Sequence, residues 1–204
     1  MAELGRVVLA TTNQGKLADF RRLFVGMPIE LVALDEAGIH MDVEETGTTF
    51  HENALLKARA IAAACRCPVL ADDSGIAVAA LDGEPGVHSA RYAGPECDDH
   101  ANNLKLIAAL RGAADRRAAF VCVLVLVLAD GSEIVVDGRC QGTISMEERG
   151  SNGFGYDAVF YREDLGCTFG EATPEQKNAR SHRAAAVRAL LIELGRRGLI
   201  ALPP

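Results

Sequence analysis

Blocks of apolar and polar residues alternate along the chain in a way that predicts an α/β fold. An apolar run over Arg6–Thr11 is typical of a buried strand, and the apolar residues between positions 17 and 24 then recur at helical spacing. A second strand pattern covers Glu30–Leu34. The chain therefore starts with a strand, a polar loop and a helix, followed by another strand.

The later segments repeat these signals. Thr49 to Glu52 form a capping-box pattern that predicts a helix running to about Ala64. Ala118–Leu128 is predicted as a long strand, and Asp130-Gly131 as the hairpin turn that leads into a return strand at Glu133–Cys140. Further predicted elements are a short strand over Gln141–Met146 and helices beginning after Asp98, Thr173 and Ser181. Because neighbouring strands joined by short turns are antiparallel, we expect a mixed sheet.

The stretch Pro68–Gly94 is the centre of the functional prediction. A short apolar strand at positions 69–71 leads directly into Asp72 and Asp73, followed by Ser74. In α/β sheets, ligands bind beyond the strand ends, and adjacent carboxylates there can hold a metal ion. A solvated turn is the alternative interpretation of these residues.

The polar loop Thr12–Lys16 lies between the first strand and the first helix. Free N–H groups and the dipole at a helix N-terminus favour an anion, and Lys16 adds a positive charge. The loop lacks a Walker A pattern, so a plain strand-to-helix turn remains the alternative. On the helix predicted after Thr49, Asn53 and Lys57 are four residues apart and share a face, although Lys57 could equally be a solvated side chain.

Two later segments also indicate ligand contacts. Arg149–Asp157 combines three glycines with two aromatic residues, which favours presentation of a ring or of N–H groups to a flat ligand, or else a surface turn. Ser181 as a helix cap would place His182 and Arg183 in the first turn, where cations oppose the helix dipole. Cations placed unfavourably at a helix N-terminus, with no structural gain, indicate that His182 and Arg183 contact a ligand.

Composition narrows the class of protein. The chain has 204 residues, 49% hydrophobic and 24% charged, which predicts one packed globular domain over residues 1–204. Its net charge of −7 disfavours nucleic acid as a partner, and the longest apolar run is too short for a membrane helix. The six cysteines lack metal-ligand spacing and are predicted to be reduced thiols; with no signal-peptide pattern at the N-terminus, they predict a cytoplasmic protein.

Six motifs in order resemble those of the inosine triphosphate pyrophosphatase family, the Ham1-like pyrophosphatases of non-canonical purine nucleotides. The resemblance runs from Val7 to Leu194 and rests on LATTNQGK, EETGTTFHENALLKA, VLADDSGIAV, EPGVHSARYAG, GFGYDAVF and EATPEQKNARSHRAAA. Thr12 stands where the family has glycine, Ala158 where proline is common, and His88 where tyrosine is common. The resemblance implies an elongated Ham1/Maf-like α/β fold, with a mixed central sheet flanked by helices, two lobes with the active-site cleft between them, and a homodimer.

The resemblance also implies a reaction and its residues. Water attacks the α-phosphorus of ITP, dITP or XTP, with Mg²⁺ required, and releases the monophosphate and pyrophosphate. The implied metal ligands are Glu44 and Asp73; Asp73 also matches the proton acceptor, and Ser74 a substrate contact. The implied phosphate loop comprises Thr11, Thr12, Asn13, Gln14, Gly15 and Lys16. The implied base-side contacts are Phe154, Gly155, Tyr156, Asp157, Lys177, His182 and Arg183. Lys57 is added as a phosphate contact on the strength of its spacing.

Physical chemistry adds a reason for base choice. An arginine only donates hydrogen bonds, so Arg183 facing C6 would accept a keto oxygen and oppose the amino group of adenine. Two alternatives stay open: a Maf-like pyrophosphatase of modified pyrimidine nucleotides, and a sensor that holds a nucleotide without cleaving it.

Overall fold

The computed structural model describes residues 4–201 and contains seven strands and five α-helices within that range. The strands are β1 (Arg6–Leu9), β2 (Glu30–Ala33), β3 (Val69–Val78), β4 (Arg117–Val127), β5 (Glu133–Ile144), β6 (Phe160–Arg162) and β7 (Cys167–Thr168). The helices are α1 (Gln14–Leu23), α2 (Phe50–Cys65), α3 (Asp99–Ala109), α4 (Pro174–Arg180) and α5 (His182–Arg196). Two short 3₁₀ segments, Ala79–Leu81 and Gly86–Arg91, follow β3.

All seven strands form one sheet in the order β2-β1-β3-β4-β5-β6-β7. β1 pairs in parallel with β2 and β3, whereas β6 pairs antiparallel with β5 and β7. The predicted α/β class with a mixed sheet is confirmed. The turn at Asp130-Gly131 also forms, with Gly131 at φ 83° and a hydrogen bond from Leu128 N to Ser132 O.

Residues 4–201 group into two compact units. The first contains residues 4–73, 122–138 and 183–201, and the second contains residues 74–121 and 139–182. In the first unit, two apolar clusters include Phe20 with Leu124 and Ala58 with Val125. In the second unit, one cluster is built around Phe120, Phe160 and Phe169, whose rings pack within 6.3 Å of one another. The prediction of a single domain with a cleft between lobes stays a prediction.

Three sequence predictions need correction. β3 does not end before Asp72 but continues to Val78, so the paired aspartates lie inside a strand. The separate strand expected at Gln141–Met146 is the end of β5, which runs without a break to Ile144. The prediction of six reduced thiols was wrong for Cys65 and Cys67, which form a disulfide because the left-handed Arg66 between them, at φ 54°, turns the chain back.

The predicted N-terminal caps of α2, α3 and α4 are confirmed. Thr49 and Glu52 form the predicted capping box of α2, and Thr173 and Gln176 form that of α4. Asp98 caps α3 by accepting from Ala101 N. Within residues 4–201, no helix is both long and apolar enough to cross a membrane.

Candidate active site

The loop between β1 and α1 forms a compact polar turn at a helix N-terminus. Asn13 caps α1 by accepting a hydrogen bond from Lys16 N at 3.0 Å, and Thr11 Oγ1 accepts from Asn13 N at 3.2 Å. Thr12 is exposed and is absent from the residues with left-handed backbone in the described chain, so its side chain adds no strain to the turn. The predicted residues Thr11 to Lys16 therefore lie together at the N-terminus of α1, where the helix dipole favours an anion.

Asp72 forms an ion pair with Lys16, the last residue of this loop. Lys16 Nζ is 2.9 Å from Asp72 Oδ2, and the Asp72 side chain is 0% exposed. Burial by itself would raise the pKa of Asp72, but the positive charges of Lys16, Lys57 and Arg183 outweigh burial and lower this pKa to about 2. Asp72 is therefore a permanent anion that fixes Lys16 behind the loop.

Asp73 has a different environment, because successive strand residues point to opposite faces of the sheet. Asn53 Nδ2 on α2 donates to Asp73 Oδ2 at 3.1 Å, and Lys57 Nζ lies 3.9 Å from Asp73 Oδ1. Burial raises the pKa of Asp73 to about 6, with Glu45 adding to the increase and Lys57 and Lys16 opposing it. A carboxyl group with this pKa can accept a proton near neutral pH.

Lys57 joins Asp73 to the acidic loop at positions 42–47. Its Nζ is 2.7 Å from Glu45 Oε1, and its side chain is 12% exposed. Burial favours the neutral amine, but Asp72, Asp73 and Glu45 outweigh it and raise the pKa of Lys57. Lys57 is therefore a charged, mostly buried group shared by several acids, and not the solvated lysine of the alternative interpretation.

Glu45, and not the predicted Glu44, is the acid that the structure brings to Lys57. The Glu44 residue is exposed. The assignment of Glu44 as a metal ligand stays a prediction, and Glu45 becomes a second candidate. Sequence reasoning missed Glu45, for which the only signal was its position next to Glu44 in an extended acidic loop.

The first unit also contains the buried pair formed by Arg183 and Asp19. Arg183 Nη1 lies 3.4 Å from Asp19 Oδ2, and both residues are 5% exposed. Asp19 was another residue that the sequence did not single out, although it lies on α1 one turn after Lys16. This pair fixes the direction of the Arg183 guanidinium group.

The donor set of the first unit fits a divalent cation such as Mg²⁺. Four carboxylates face three cations in this network; the acids are Asp19, Glu45, Asp72 and Asp73, and the cations are Lys16, Lys57 and Arg183. Mg²⁺ prefers oxygen ligands and binds through one or two carboxylates plus water and phosphate oxygens. Within residues 4–201 no cluster of three or more His, Cys, Asp or Glu forms a metal site by itself.

In the second unit, a loop that we call the aromatic loop, Gly153–Asp157, supports one ring. Asp157 Oδ2 accepts from Phe154 N at 2.9 Å and pairs with Lys177 Nζ at 2.7 Å. Lys177 Nζ also lies 4.7 Å from the centroid of the Phe154 ring, a cation–π contact. Asp157 and Lys177 are almost fully buried, and the structure brings Phe154, Asp157 and Lys177 together.

Gly153 is required by this arrangement. Its φ is 78°, and a β-carbon at this position would collide with the carboxylate of Asp157. Tyr156 is buried and donates from its hydroxyl group to Ser89 O at 2.7 Å. Ser89 Oγ in turn accepts from Ile76 N at 2.9 Å, which connects the aromatic loop to the part of β3 that follows Ser74. Gly75 packs against Ser89 so closely that a β-carbon would meet its hydroxyl group.

His182 is a buried ring and lies at the start of α5. It stacks on Phe120 with 4.7 Å between ring centroids and 16° between planes, and it is 2% exposed. Ser74 is half-buried in β3. The base contact predicted for His182 and the substrate contact predicted for Ser74 stay predictions.

Comparison with known proteins matches nearly the whole chain to one family. The sequence profile of the Ham1 family matches residues 7–193. A dITP/XTP pyrophosphatase from Syntrophobacter fumaroxidans is 46% identical over 90% of this chain and 79% of its own length, and one from Burkholderia pseudomallei is 48% identical over 95% of each chain. The structure of the Staphylococcus aureus Ham1 protein superposes with a TM-score of 0.84 at 44% identity, covering 94% of this chain and 99% of that one. The protein described by this sequence and structure therefore belongs to the Ham1 family.

Proposed function

We propose that this protein hydrolyses the non-canonical purine nucleoside triphosphates ITP, dITP and XTP to the monophosphate and pyrophosphate. The observation that carries the proposal is the difference in pKa between the two adjacent aspartates, Asp72 and Asp73. The pKa of Asp72 is lowered to about 2, whereas the pKa of Asp73 is raised to about 6. Neighbouring acids with separated pKa values are typical of an acid–base site. The dITP/XTP pyrophosphatases at 46–48% identity support the same activity.

Water is the nucleophile in the proposed reaction. Its oxygen forms a bond to the α-phosphorus, the bond from that phosphorus to the α–β bridging oxygen breaks, and pyrophosphate leaves with the bond electrons. Asp73 orients the water and takes its proton, while Asn53 fixes the Asp73 carboxylate by donating to Oδ2. Asp73, with Glu44 or Glu45, would hold Mg²⁺, which supplies charge neutralisation at the phosphates and a more acidic water.

Phosphate binding is assigned to the β1–α1 loop and its cations. Thr11, Thr12, Asn13, Gln14 and Gly15 would present hydroxyl, amide and backbone N–H groups, and Lys16 and Lys57 would supply positive charge. Because the whole chain carries a net charge of −7, a triphosphate needs such locally placed cations.

Base binding is assigned to the aromatic loop with Lys177, and to His182 and Arg183, while Ser74 is assigned as a further substrate contact. The Phe154 ring would stack on the purine, and Gly155 and Tyr156 lie in the same segment. Arg183 donates only, so it would favour a 6-keto purine over adenine.

A pyrophosphate-release screen tests the activity and its metal requirement together. The panel contains ITP, XTP, dITP, ATP, GTP and a modified pyrimidine triphosphate, each with Mg²⁺ and with EDTA. We expect release from the first three only, and only with Mg²⁺. Release from the pyrimidine alone would favour the Maf-like alternative, and tight binding of ITP without release would favour a nucleotide sensor.

We also propose a homodimer that acts in the cytoplasm, on the basis of the family resemblance. Light scattering on the purified protein tests the assembly, since a homodimer has twice the mass of the chain. Cell fractionation with an antibody against the native protein tests the location. A monomer in solution, or recovery in the membrane fraction, would contradict these two proposals.

A further inference from the structure

The first two turns of α3 hold both backbone polar groups of one residue in the aromatic loop. Asp99 Oδ2 accepts a hydrogen bond from Gly155 N at 2.6 Å, and Asn103 Nδ2 donates to Gly155 O at 3.2 Å. Asp99 and Asn103 are four residues apart, so their side chains lie on the same face of the helix. A single helical face therefore determines where the N–H and C=O groups of Gly155 point.

Asn103 is itself fixed by further contacts. Its Nδ2 also donates to Glu148 Oε1 at 2.8 Å, and Glu148 Oε2 is 2.6 Å from His100 Nδ1. Both partners of Asn103 Nδ2 are acceptors, which settles the orientation of the amide group. Asn103 is 2% exposed, so it cannot exchange these partners for water without opening the loop.

Gly155 needs such support because glycine is the most flexible residue in the backbone. It has a left-handed φ of 62°, and a β-carbon there would meet nothing within 4 Å, so no steric wall holds the conformation. The hydrogen bonds from α3 supply the restraint that side-chain packing does not.

These contacts bear directly on the Phe154 ring. Asp157 holds the N–H group that precedes the ring's own Cα, and Asp99 holds the N–H group of the next peptide. The peptide planes on both sides of Phe154 are thus fixed by two carboxylates. The direction of the Phe154 side chain follows from the placement of those two planes.

We propose that Asp99 and Asn103 are positioning residues that set the orientation of Phe154 and so the affinity for the purine base. The structural part of this inference concerns Gly155 and stands on the geometry alone, whereas the link to affinity rests on the proposed function. Neither residue takes part in bond making, so the effect falls on substrate binding and not on the chemical step.

Amide hydrogen exchange measures the structural part without any substrate. In Asp99→Ala we expect exchange at Gly155 N–H to accelerate about ten-fold or more, because a charge-assisted hydrogen bond is lost. The Ile144 amide, which donates to Arg116 O at 2.9 Å, serves as the internal reference and should not change. Asp99→Asn keeps an acceptor oxygen and should restore most of the protection.

Asp98→Ala is the matched control. Asp98 is the adjacent acid and caps α3 through Ala101 N, so its loss weakens the helix without removing a contact to Gly155. We expect a lower melting temperature in this variant and normal exchange at Gly155. If Asp98→Ala accelerates Gly155 exchange as much as Asp99→Ala does, general fraying of the helix explains the result and the positioning role is overturned.

Steady-state kinetics measure the functional part. For Asp99→Ala and Asn103→Ala we expect KM for ITP to rise about ten-fold while kcat stays within about two-fold of wild type. Asp99→Asn should return KM most of the way. An unchanged KM, or an equal fall in kcat, would overturn the role in base affinity. If the wild-type protein releases no pyrophosphate from ITP, the proposed function fails, and the exchange experiment still decides whether α3 holds the loop.

Discussion

Each compact unit buries a lysine–aspartate pair, and the surroundings of the two pairs differ. In the first unit, Asp72 is fully buried, but its partner Lys16 keeps 15% of its side chain exposed, and Lys57 and Arg183 add further positive charge. In the second unit, Lys177 and Asp157 are 5% and 4% exposed, and the pair supports the backbone and ring of Phe154.

The difference indicates two roles. The charges of the first unit suit the binding of a charged ligand, whereas the pair in the second unit supports the Phe154 ring. In the first unit, several cations and acids share contacts. An incoming polyphosphate can therefore pair with one of the cations while the buried acids keep the others nearby. In the second unit, removal of either charge takes the close counter-charge away from a buried ion, which is strongly destabilising. Ion pairs of similar length, 2.9 Å and 2.7 Å, can therefore serve ligand binding in one region and loop shape in another.

The largest effect is expected at Asp73, where we predict that Asp73→Asn lowers kcat about 10³-fold, because the proton acceptor is lost. Asparagine has nearly the same shape and keeps an oxygen for Asn53 Nδ2, so the melting temperature should change little. Pyrophosphate release from ITP is the measurement, with Asp42→Asn in the exposed part of the acidic loop as the control. A wild-type rate in Asp73→Asn would refute the catalytic assignment.

The difference between the Lys16–Asp72 and Lys177–Asp157 pairs is tested by replacing each lysine. We predict that Lys177→Met costs about 3 kcal/mol of unfolding free energy, because the buried Asp157 carboxylate loses its counter-charge at 2.7 Å. Lys16→Met should cost less, because Lys57 and Arg183 still act on Asp72. Urea unfolding of both variants gives the two free energies. Equal losses, or a larger loss for Lys16→Met, would contradict the distinction drawn between the regions.

Arg183 is the third cation near Asp72, and its removal should affect selectivity. We predict that Arg183→Ala lowers the ratio of kcat/KM for ITP over ATP by about ten-fold or more, because a donor facing the keto group is lost. Steady-state kinetics on both nucleotides measure this ratio. Arg180→Ala, which removes an exposed pair with Asp164, is the control, and an unchanged ratio in Arg183→Ala would rule out the assignment.

The smallest effect is expected for the surface cluster of Glu193 with Arg196 and Arg197, which includes neither lysine–aspartate pair. Arg196 and Arg197 donate to Glu193 and lower its pKa to about 2, so the stabilisation is present above the ordinary pKa of 4.5 and is lost as the pH falls through about 2. We predict that Glu193→Gln slightly lowers the melting temperature at pH 7 and matches wild type near pH 2. A large difference at pH 7 would show that solvent screening is weaker here than for most exposed pairs.

Short-range features were predicted well from the sequence. The capping boxes of α2 and α4, the turn at Gly131 and the strand that became β4 all depend on residues close together in the chain. Each of these features is specified by local hydrogen bonds or by side-chain periodicity, which are visible in a sequence.

The omissions at the site concern long-range contacts. Asp72 and Asp73 are poor strand formers, so the continuation of β3 was not expected, and it is Lys16 and Lys57 that make the buried aspartates tolerable. Glu45 and Asp19 were missed because their partners are 12 and 164 residues away. The pattern of a sequence shows which residues can carry charge, whereas the fold decides which of those charges meet.

Gly153 has a consequence for anyone who wishes to alter this protein. A β-carbon at that position would collide with the Asp157 carboxylate, so none of the other L-amino acids fits without breaking the contact to Lys177. Mutant libraries aimed at new nucleotide preferences should keep position 153 and the α3 positions 99 and 103 constant and vary position 154. Directed evolution would then search only among sequences that can still build the loop.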